Sequence, residues 1–287
     1  MQTFWKGRRR RQIRAGRLIS GKNTSSGPIG VFDSGIGGLT VVRELKSLLP
    51  LENIVYLGDT ARLPYGTKSS ETVTGYSLKN ARFLASKNSK IIVAACNTAS
   101  AYSIEVLSGG FDVPVLGVIE PGAKKAREVS RNGKIGVIAT PSTVKSGAYE
   151  RALRREDSSL KTVSAACPLF VPLVEEGWGE DDIAFTVARR YLGPLVDEGV
   201  DTLILGCTHY PLMKKVVSEV MGWGVTLVDS ATEAATETAK FMESAGLLNK
   251  NGKGTAEFYL TDGSESFVSA AGKFLGGDIG KAEIVDL

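Results

Sequence analysis

Ile91-Ile-Val-Ala-Ala-Cys-Asn-Thr-Ala-Ser100 is an apolar run that ends in a cysteine followed by small polar residues. Near the far end of the chain, Thr202-Leu-Ile-Leu-Gly-Cys-Thr-His-Tyr-Pro211 repeats the arrangement. Four or five β-favouring apolar residues bounded in this way predict a buried parallel strand. Cys96 and Cys207 then stand at strand carboxyl ends, where open α/β sheets hold their ligands. Asn97, Thr98 and Thr208 are N-cap residue types, so a helix start is expected beside each thiol. That position lowers a thiol's pKa and also binds a carboxylate. Two thiols at equivalent places predict one site built twice.

The segments around these two stretches repeat as well. Ile29-Gly-Val-Phe-Asp33 reads as a buried strand, followed by the loop Ser34–Gly38 and a helix over Leu39 to Leu49. Ile135-Gly-Val-Ile-Ala-Thr140 restarts the pattern. From Ile29 to Cys96 is 67 positions, and from Ile135 to Cys207 is 72. The shared Ile-Gly-Val opening and the near-equal distance to a strand-end cysteine predict an internal duplication. In this alignment Thr140 takes the place of Ser34, while Asp33 falls opposite Ala139. Further strands are expected near 54–57, 114–118, 161–165, 225–228 and 256 onward, with helices near 70–87, 121–131 and 231–244. This alternation predicts an α/β chain of two similar, doubly wound, parallel-sheet domains related by pseudo-symmetry, with the site in the cleft between them. The expected division is residues 29–120 with 230–287 as one domain and 121–229 as the other.

Composition sets the limits. A chain of 287 residues, 43% hydrophobic and 23% charged, is long enough for two soluble domains. No apolar run approaches the roughly 18 residues that a membrane span needs. Three cysteines without a signal-peptide core predict free thiols in a reducing, cytoplasmic setting. None forms a Cys-x-x-Cys pair, and His209 is the only histidine. A zinc site would have to gather Cys96, Cys167, Cys207 and His209 without any ligand spacing, so no metal is expected.

The net charge of +4 misleads. Residues 1–28 carry eight Lys and Arg and no acid, which leaves 27 basic against 31 acidic residues in the remainder, a net −4. The arm, with Arg8-Arg-Arg-Arg11 and a Gly/Ser/Asn-rich stretch, reads as a disordered, solvated extension. A nucleic-acid partner for the folded body is not expected, because its charge has the wrong sign.

Several loops carry candidate site residues. Gly35-Ile-Gly-Gly38 follows a strand, yet it meets neither the Walker spacing nor the dinucleotide fingerprint. Its glycines are expected to serve a tight turn that leaves Asp33 and Ser34 at the strand's end. Gly58-Asp-Thr-Ala-Arg-Leu-Pro-Tyr-Gly66 is a long loop whose Pro64-Tyr65-Gly66 turn offers an aromatic hydroxyl. Ala166–Gly177 is expected to be irregular around Pro168 and Pro172. Within it Cys167 reads as core and Glu175-Glu176 as a pair, one of which can face a cleft.

Two thiols facing one pocket from opposite domains suit a proton taken from one face of a carbon and returned to the other. Asp33 is the expected partner of Cys96, and His209 that of Cys207. A Cys207-His209 pair also fits acyl transfer, which leaves Cys96 without a role. A non-enzymatic amino-acid-binding protein would need the cysteines only for packing.

Taken together, Ile29-Gly-Val-Phe-Asp-Ser-Gly-Ile-Gly-Gly-Leu-Thr40, Pro64-Tyr-Gly66, Ala95-Cys-Asn-Thr-Ala99 and Leu205-Gly-Cys-Thr-His-Tyr-Pro211 resemble the glutamate racemases of the aspartate/glutamate racemase family. The resemblance runs from about Pro28 to the last helix. It implies a cofactor-independent isomerase that interconverts L- and D-glutamate, often as a homodimer, and supplies D-glutamate for peptidoglycan. It also implies Cys96 and Cys207 as the two acid/base residues and Glu175 as a carboxylate near the site. Asp33, Ser34, Pro64, Tyr65, Gly66, Asn97, Thr98, Thr208 and His209 match its substrate-contact motifs, and the alignment of the two halves adds Thr140. An aspartate racemase belongs to the same superfamily. A decarboxylase that keeps one cysteine is disfavoured by the presence of both.

Overall fold

The computed structural model describes residues 25–263 and 265–287. The arm expected over 1–28 therefore lies outside the described residues, apart from its last four.

The strands in chain order are β1 (Ile29–Asp33), β2 (Ile54–Gly58), β3 (Ile91–Ala94), β4 (Val115–Gly117), β5 (Lys134–Ala139), β6 (Lys161–Ala166), β7 (Thr202–Gly206), β8 (Thr226–Asp229), β9 (Ala256–Leu260) and β10 (Ala282–Ile284). They form two sheets, β10-β9-β2-β1-β3-β4 and β6-β5-β7-β8, with every pairing parallel. The order β2-β1-β3-β4 in the first sheet recurs as β6-β5-β7-β8 in the second. Thus β1 corresponds to β5, and β3 to β7. The two extra strands, β9 and β10, extend only the first sheet.

Central strands are covered on both faces, which explains their unbroken apolar runs. Ile91, Ile92 and Val93 are fully buried, each worth about 1.5–3 kcal/mol relative to exposure. The repeated Ile-Gly-Val has a packing cause. A β-carbon on Gly30 would lie 2.6 Å from Ser89 Oγ and 3.1 Å from Leu84 Cβ, at the end of the helix Ser70–Ser86. One on Gly136 would lie 2.7 Å from Leu195 Cδ2, in the helix Asp182–Asp197. In each half a glycine lets a helix close onto the first strand.

At the amino ends of the first sheet sits a buried ion pair. Lys90 Nζ lies 2.5 Å from Glu52 Oε2, with both side chains almost wholly excluded from solvent. Nζ also donates to the Ser25 carbonyl at 2.6 Å and the Leu247 carbonyl at 2.9 Å. Glu52 Oε1 accepts the Asn249 N–H at 2.7 Å. The pair ties two strand starts to segments at either end of the chain.

Some elements differ from expectation. Phe170–Glu175, read as irregular, is a short helix; Pro172 falls in its first turn, where a missing N–H costs no intrahelical bond. The edge strand β10 is three residues long and too short to show in the apolar pattern. Among the described residues, no helix is long and apolar enough to cross a membrane.

Candidate active site

Strand carboxyl ends from both sheets open onto one cavity of about 410 Å³. Ser34, Pro64, Tyr65, Gly66, Cys96, Asn97, Thr98, Thr140, Glu175, Cys207, Thr208 and His209 all line it. Asp33 does not. A second cavity, of about 500 Å³, opens elsewhere between helices and contains neither cysteine of interest.

On the first-sheet side, β3 leads into the helix Asn97–Gly110. Its N-cap is Cys96 itself, not Asn97 or Thr98: the thiol sulfur accepts the Ala99 N–H at 3.5 Å. The N–H groups of Asn97 and Thr98 thus belong to the first turn, which lacks intrahelical acceptors and favours an anion. Cys96 Sγ lies 3.6 Å from Ser34 Oγ. Contrary to expectation, its pKa is not lowered. Burial pushes the thiol up to about 12 and the nearby Asp33 charge adds to this, while the Ala99 N–H and Ser34 hydroxyl oppose it.

Asp33 is fully buried. Its Oδ2 accepts the Gly35 N–H at 3.0 Å, and its Oδ1 has no hydrogen-bond partner among the described residues. Burial raises its carboxyl pKa, against the charge of His209 and the N–H groups of the turn. It therefore acts on Cys96 through space, without a direct hydrogen bond. The glycines of this turn serve close approach as well: a β-carbon on Gly37 would sit 2.2 Å from Thr208 Oγ1 and 2.5 Å from His209 Nδ1.

On the second-sheet side no α-helix starts at Thr208. The chain makes a 3-10 turn over Tyr210–Met213, and the helix begins only at Lys214. Pro211 lies within this 3-10 turn, at its second residue. In place of a helix start, Cys207 has His209. Its Sγ lies 4.0 Å from Nδ1, and Nε2 lies 2.9 Å from Glu175 Oε1. Burial alone would lower the His209 pKa, but hydrogen bonds and charge from Cys207 and Glu175 outweigh it and push it up to about 10. The Phe274 ring meets the imidazole edge-on, with centroids 5.0 Å apart.

Tyr65 lines the cavity, but its hydroxyl does not serve it. That hydroxyl donates to Asp59 Oδ2 and accepts from Asn80 Nδ2 at 3.1 Å. Asp59 Oδ1 in turn takes Thr261 Oγ1 at 3.0 Å and Arg62 Nη1 at 3.1 Å. The network anchors the Pro64–Gly66 turn at the cavity wall. Gly66 abuts the other half closely: a β-carbon there would lie 2.8 Å from Thr140 Cβ. Beside this contact, Thr98, Thr140 and Thr143 form a ring of hydroxyls at 2.9–3.0 Å, joining the two halves at the cavity wall.

Asp59, Asn80 and Thr143 escape the reading of the sequence. Asp59 follows β2 directly, as Ser34 follows β1, so the strand-end rule could have found it. Asn80 sits mid-helix, where nothing in the pattern distinguishes it. Cys167 is buried core, as expected for an unpaired thiol.

Residues 37–238 match the family model described as Asp/Glu/Hydantoin racemase. A glutamate racemase of Geobacter metallireducens is 49% identical over 260 residues, 90% of this chain and 96% of that protein. The crystal structure of glutamate racemase isoform RacE1 from Bacillus anthracis superposes with a TM-score of 0.87 at 40% identity, covering 92% of this chain and 98% of that one. The glutamate racemase of Francisella tularensis, solved in complex with D-glutamate, has a TM-score of 0.87 at 38% identity, covering 91% and 98%.

Proposed function

The chain belongs to the Asp/Glu/Hydantoin racemase family, and from that premise we propose that it is a cofactor-independent glutamate racemase, an isomerase working by two-thiol proton transfer. One thiolate removes the α-proton from one face of the amino acid, and the opposite thiol delivers a proton to the other face. The carbon emerges inverted. A single observation carries this reading: Cys96 and Cys207 line one cavity from strand ends of different sheets. Both enantiomers of glutamate are substrates, as the relatives' names and the D-glutamate complex support.

The α-hydrogen is far less acidic than a thiol of ordinary pKa near 8.5, so the carbanion-like state needs stabilisation. The first-turn N–H groups of Asn97 and Thr98 supply part of it by holding the α-carboxylate. Thr140 and Thr208 hydroxyls and the backbone at Ser34, Pro64, Tyr65 and Gly66 surround the rest of the substrate. His209, carried by Glu175, sets the charge beside Cys207. Asp33 and Ser34 do so beside Cys96. Because both enantiomers react, each thiol serves as base in one direction and as acid in the other.

The same reading divides the chain into residues 29–120 with 230–287 and residues 121–229, assembled as a cytoplasmic homodimer. Its product, D-glutamate, serves peptidoglycan synthesis, and so cell-wall biogenesis and cell shape. The Cys207–His209–Glu175 geometry also fits an acyl-transfer nucleophile, which predicts a thioester and leaves Cys96 idle.

The deciding experiment incubates purified protein with L-glutamate, and separately L-aspartate, in D2O without added cofactor. Optical rotation and α-deuterium are followed together. Loss of rotation with deuterium uptake from glutamate is expected. Folded protein with reduced thiols that gives neither signal overturns the reading and leaves acyl transfer, tested by mass spectrometry for an acylated Cys207.

A further inference from the structure

One side chain reaches both cysteine segments. Tyr149, buried in the helix Ala148–Glu156, lays its ring against Gly206, the residue before Cys207. A β-carbon on Gly206 would come within 3.0 Å of Tyr149 Cε2. At the far end of the same ring, the hydroxyl donates to Asn97 Oδ1 at 2.6 Å. Asn97 is the residue after Cys96. A second path runs in parallel. Asn97 Nδ2 donates to Ser230 Oγ at 3.4 Å, and Ser230 Oγ donates to the Leu205 carbonyl at 2.9 Å. Both paths leave the Asn97 amide and end on the last two residues of β7.

Burial raises the Tyr149 hydroxyl pKa, so it stays a donor across the working pH range. With Oδ1 and Nδ2 each committed to a partner, the Asn97 amide has one orientation. An aromatic ring adds rigidity, because little conformational freedom remains once it is packed.

We propose that Tyr149 is a positioning residue for the reaction, a strut that sets the Cys96 segment at a fixed distance from the Cys207 segment across the seam between the sheets. The inference rests on the two-thiol reading above. Proton transfer to and from carbon needs reacting atoms held about 3–3.5 Å apart, and a shift near 1 Å costs roughly a hundredfold. Each thiol is fixed within its own sheet by its strand. Only contacts that cross the seam can fix one thiol relative to the other.

The strut has unlike ends, which makes it testable. Tyr149→Phe keeps the ring on Gly206 and removes the hydroxyl from Asn97, so it loosens chiefly the Cys96 side. In wild-type protein and in this variant, matched for thermal unfolding, iodoacetamide alkylation is followed at each cysteine by peptide mass spectrometry. The Cys96 rate is expected to change relative to Cys207 by roughly fivefold, the factor carried by one hydrogen bond. For glutamate, kcat is expected to fall about tenfold with KM within about twofold. The α-deuterium isotope effects from L- and D-glutamate should diverge, which general loosening of the fold would not cause. A folded variant with an unchanged thiol ratio, or with unchanged kcat, overturns the proposal. If wild-type protein does not racemise glutamate, the functional reading falls and the thiol ratio alone judges the strut. If Tyr149→Phe does not fold, Ser230→Ala removes the hydroxyl that interacts with the Tyr149 hydroxyl and links Asn97 Nδ2 to the Leu205 carbonyl, and an unchanged thiol ratio in that variant overturns the proposal.

Discussion

His209 Nε2 lies 2.9 Å from Glu175 Oε1, joining the turn after β7 to the short helix Phe170–Glu175. The bond explains how a buried imidazole can hold a positive charge. Burial favours the neutral ring, and partners on both nitrogens reverse that preference. His209 is the only histidine in the chain, so its imidazole titration can be read by NMR without assignment. The wild-type midpoint should lie near 10. Glu175→Gln removes one of the groups that raises it, so the midpoint should fall and any alkaline limb of the activity profile should move to lower pH with it. A midpoint that does not move would show that the carboxylate only packs against the ring.

Cys96 gives the opposite titration. With its pKa pushed up to about 12 by burial, the alkylation rate at its peptide should still climb about tenfold per pH unit around pH 10, where a thiol of ordinary pKa near 8.5 has levelled off. Asp33→Asn removes the second cause of the rise, so the curve should shift toward lower pH while remaining above that of a free thiol. A plateau by pH 9 in the wild-type protein would contradict the account.

Replacing either thiol tests the proposed chemistry directly. Cys96→Ser and Cys207→Ser each leave a side chain of similar shape but a far poorer acid and base. Turnover in each should drop by at least about a hundredfold, the low end of what a general acid or base contributes. Circular dichroism should show an unchanged fold. Substantial racemisation by either variant would remove the two-thiol mechanism.

The buried Lys90–Glu52 pair makes a prediction about stability alone. Glu52→Gln leaves an ammonium buried without its counter-charge, a change that typically costs about 3–5 kcal/mol. Urea unfolding should register the loss, with KM for glutamate unchanged because the pair lies at the amino ends of the strands. Replacing Lys90 with Met in the same protein should recover part of it, since the orphaned charge is then gone.

The scaffold is largely legible in the sequence because parallel strands write themselves as apolar runs. Ile91–Ala94 and Thr202–Gly206 stand out, and their carboxyl ends locate the two thiols. Glycine pairs such as Gly30 and Gly136 mark equivalent helix contacts and reveal the repeat. What stays hidden depends on distance between segments. Tyr149 meets Asn97 from 52 positions away, and nothing near either residue announces the contact. Thr208 looks like a helix cap, but a 3-10 turn follows it and the helix begins only at Lys214. The position of Cys96 looks like one that acidifies a thiol, but local sequence cannot weigh burial against a single N–H donor.

The matching strand orders of the two sheets have a stereochemical consequence. A duplicated chain relates its halves by rotation, and no rotation converts a left-handed arrangement into a right-handed one. A catalyst that must accept a molecule and its mirror image cannot obtain that evenness from the duplication. The evenness has to come from dissimilar groups placed around one prochiral plane. Cys96 beside Ser34 and Asp33, facing Cys207 beside His209 and Glu175, is such a pairing: unequal chemistry on a repeated frame, presenting each hand of the substrate with a proton on one face and a proton acceptor on the other.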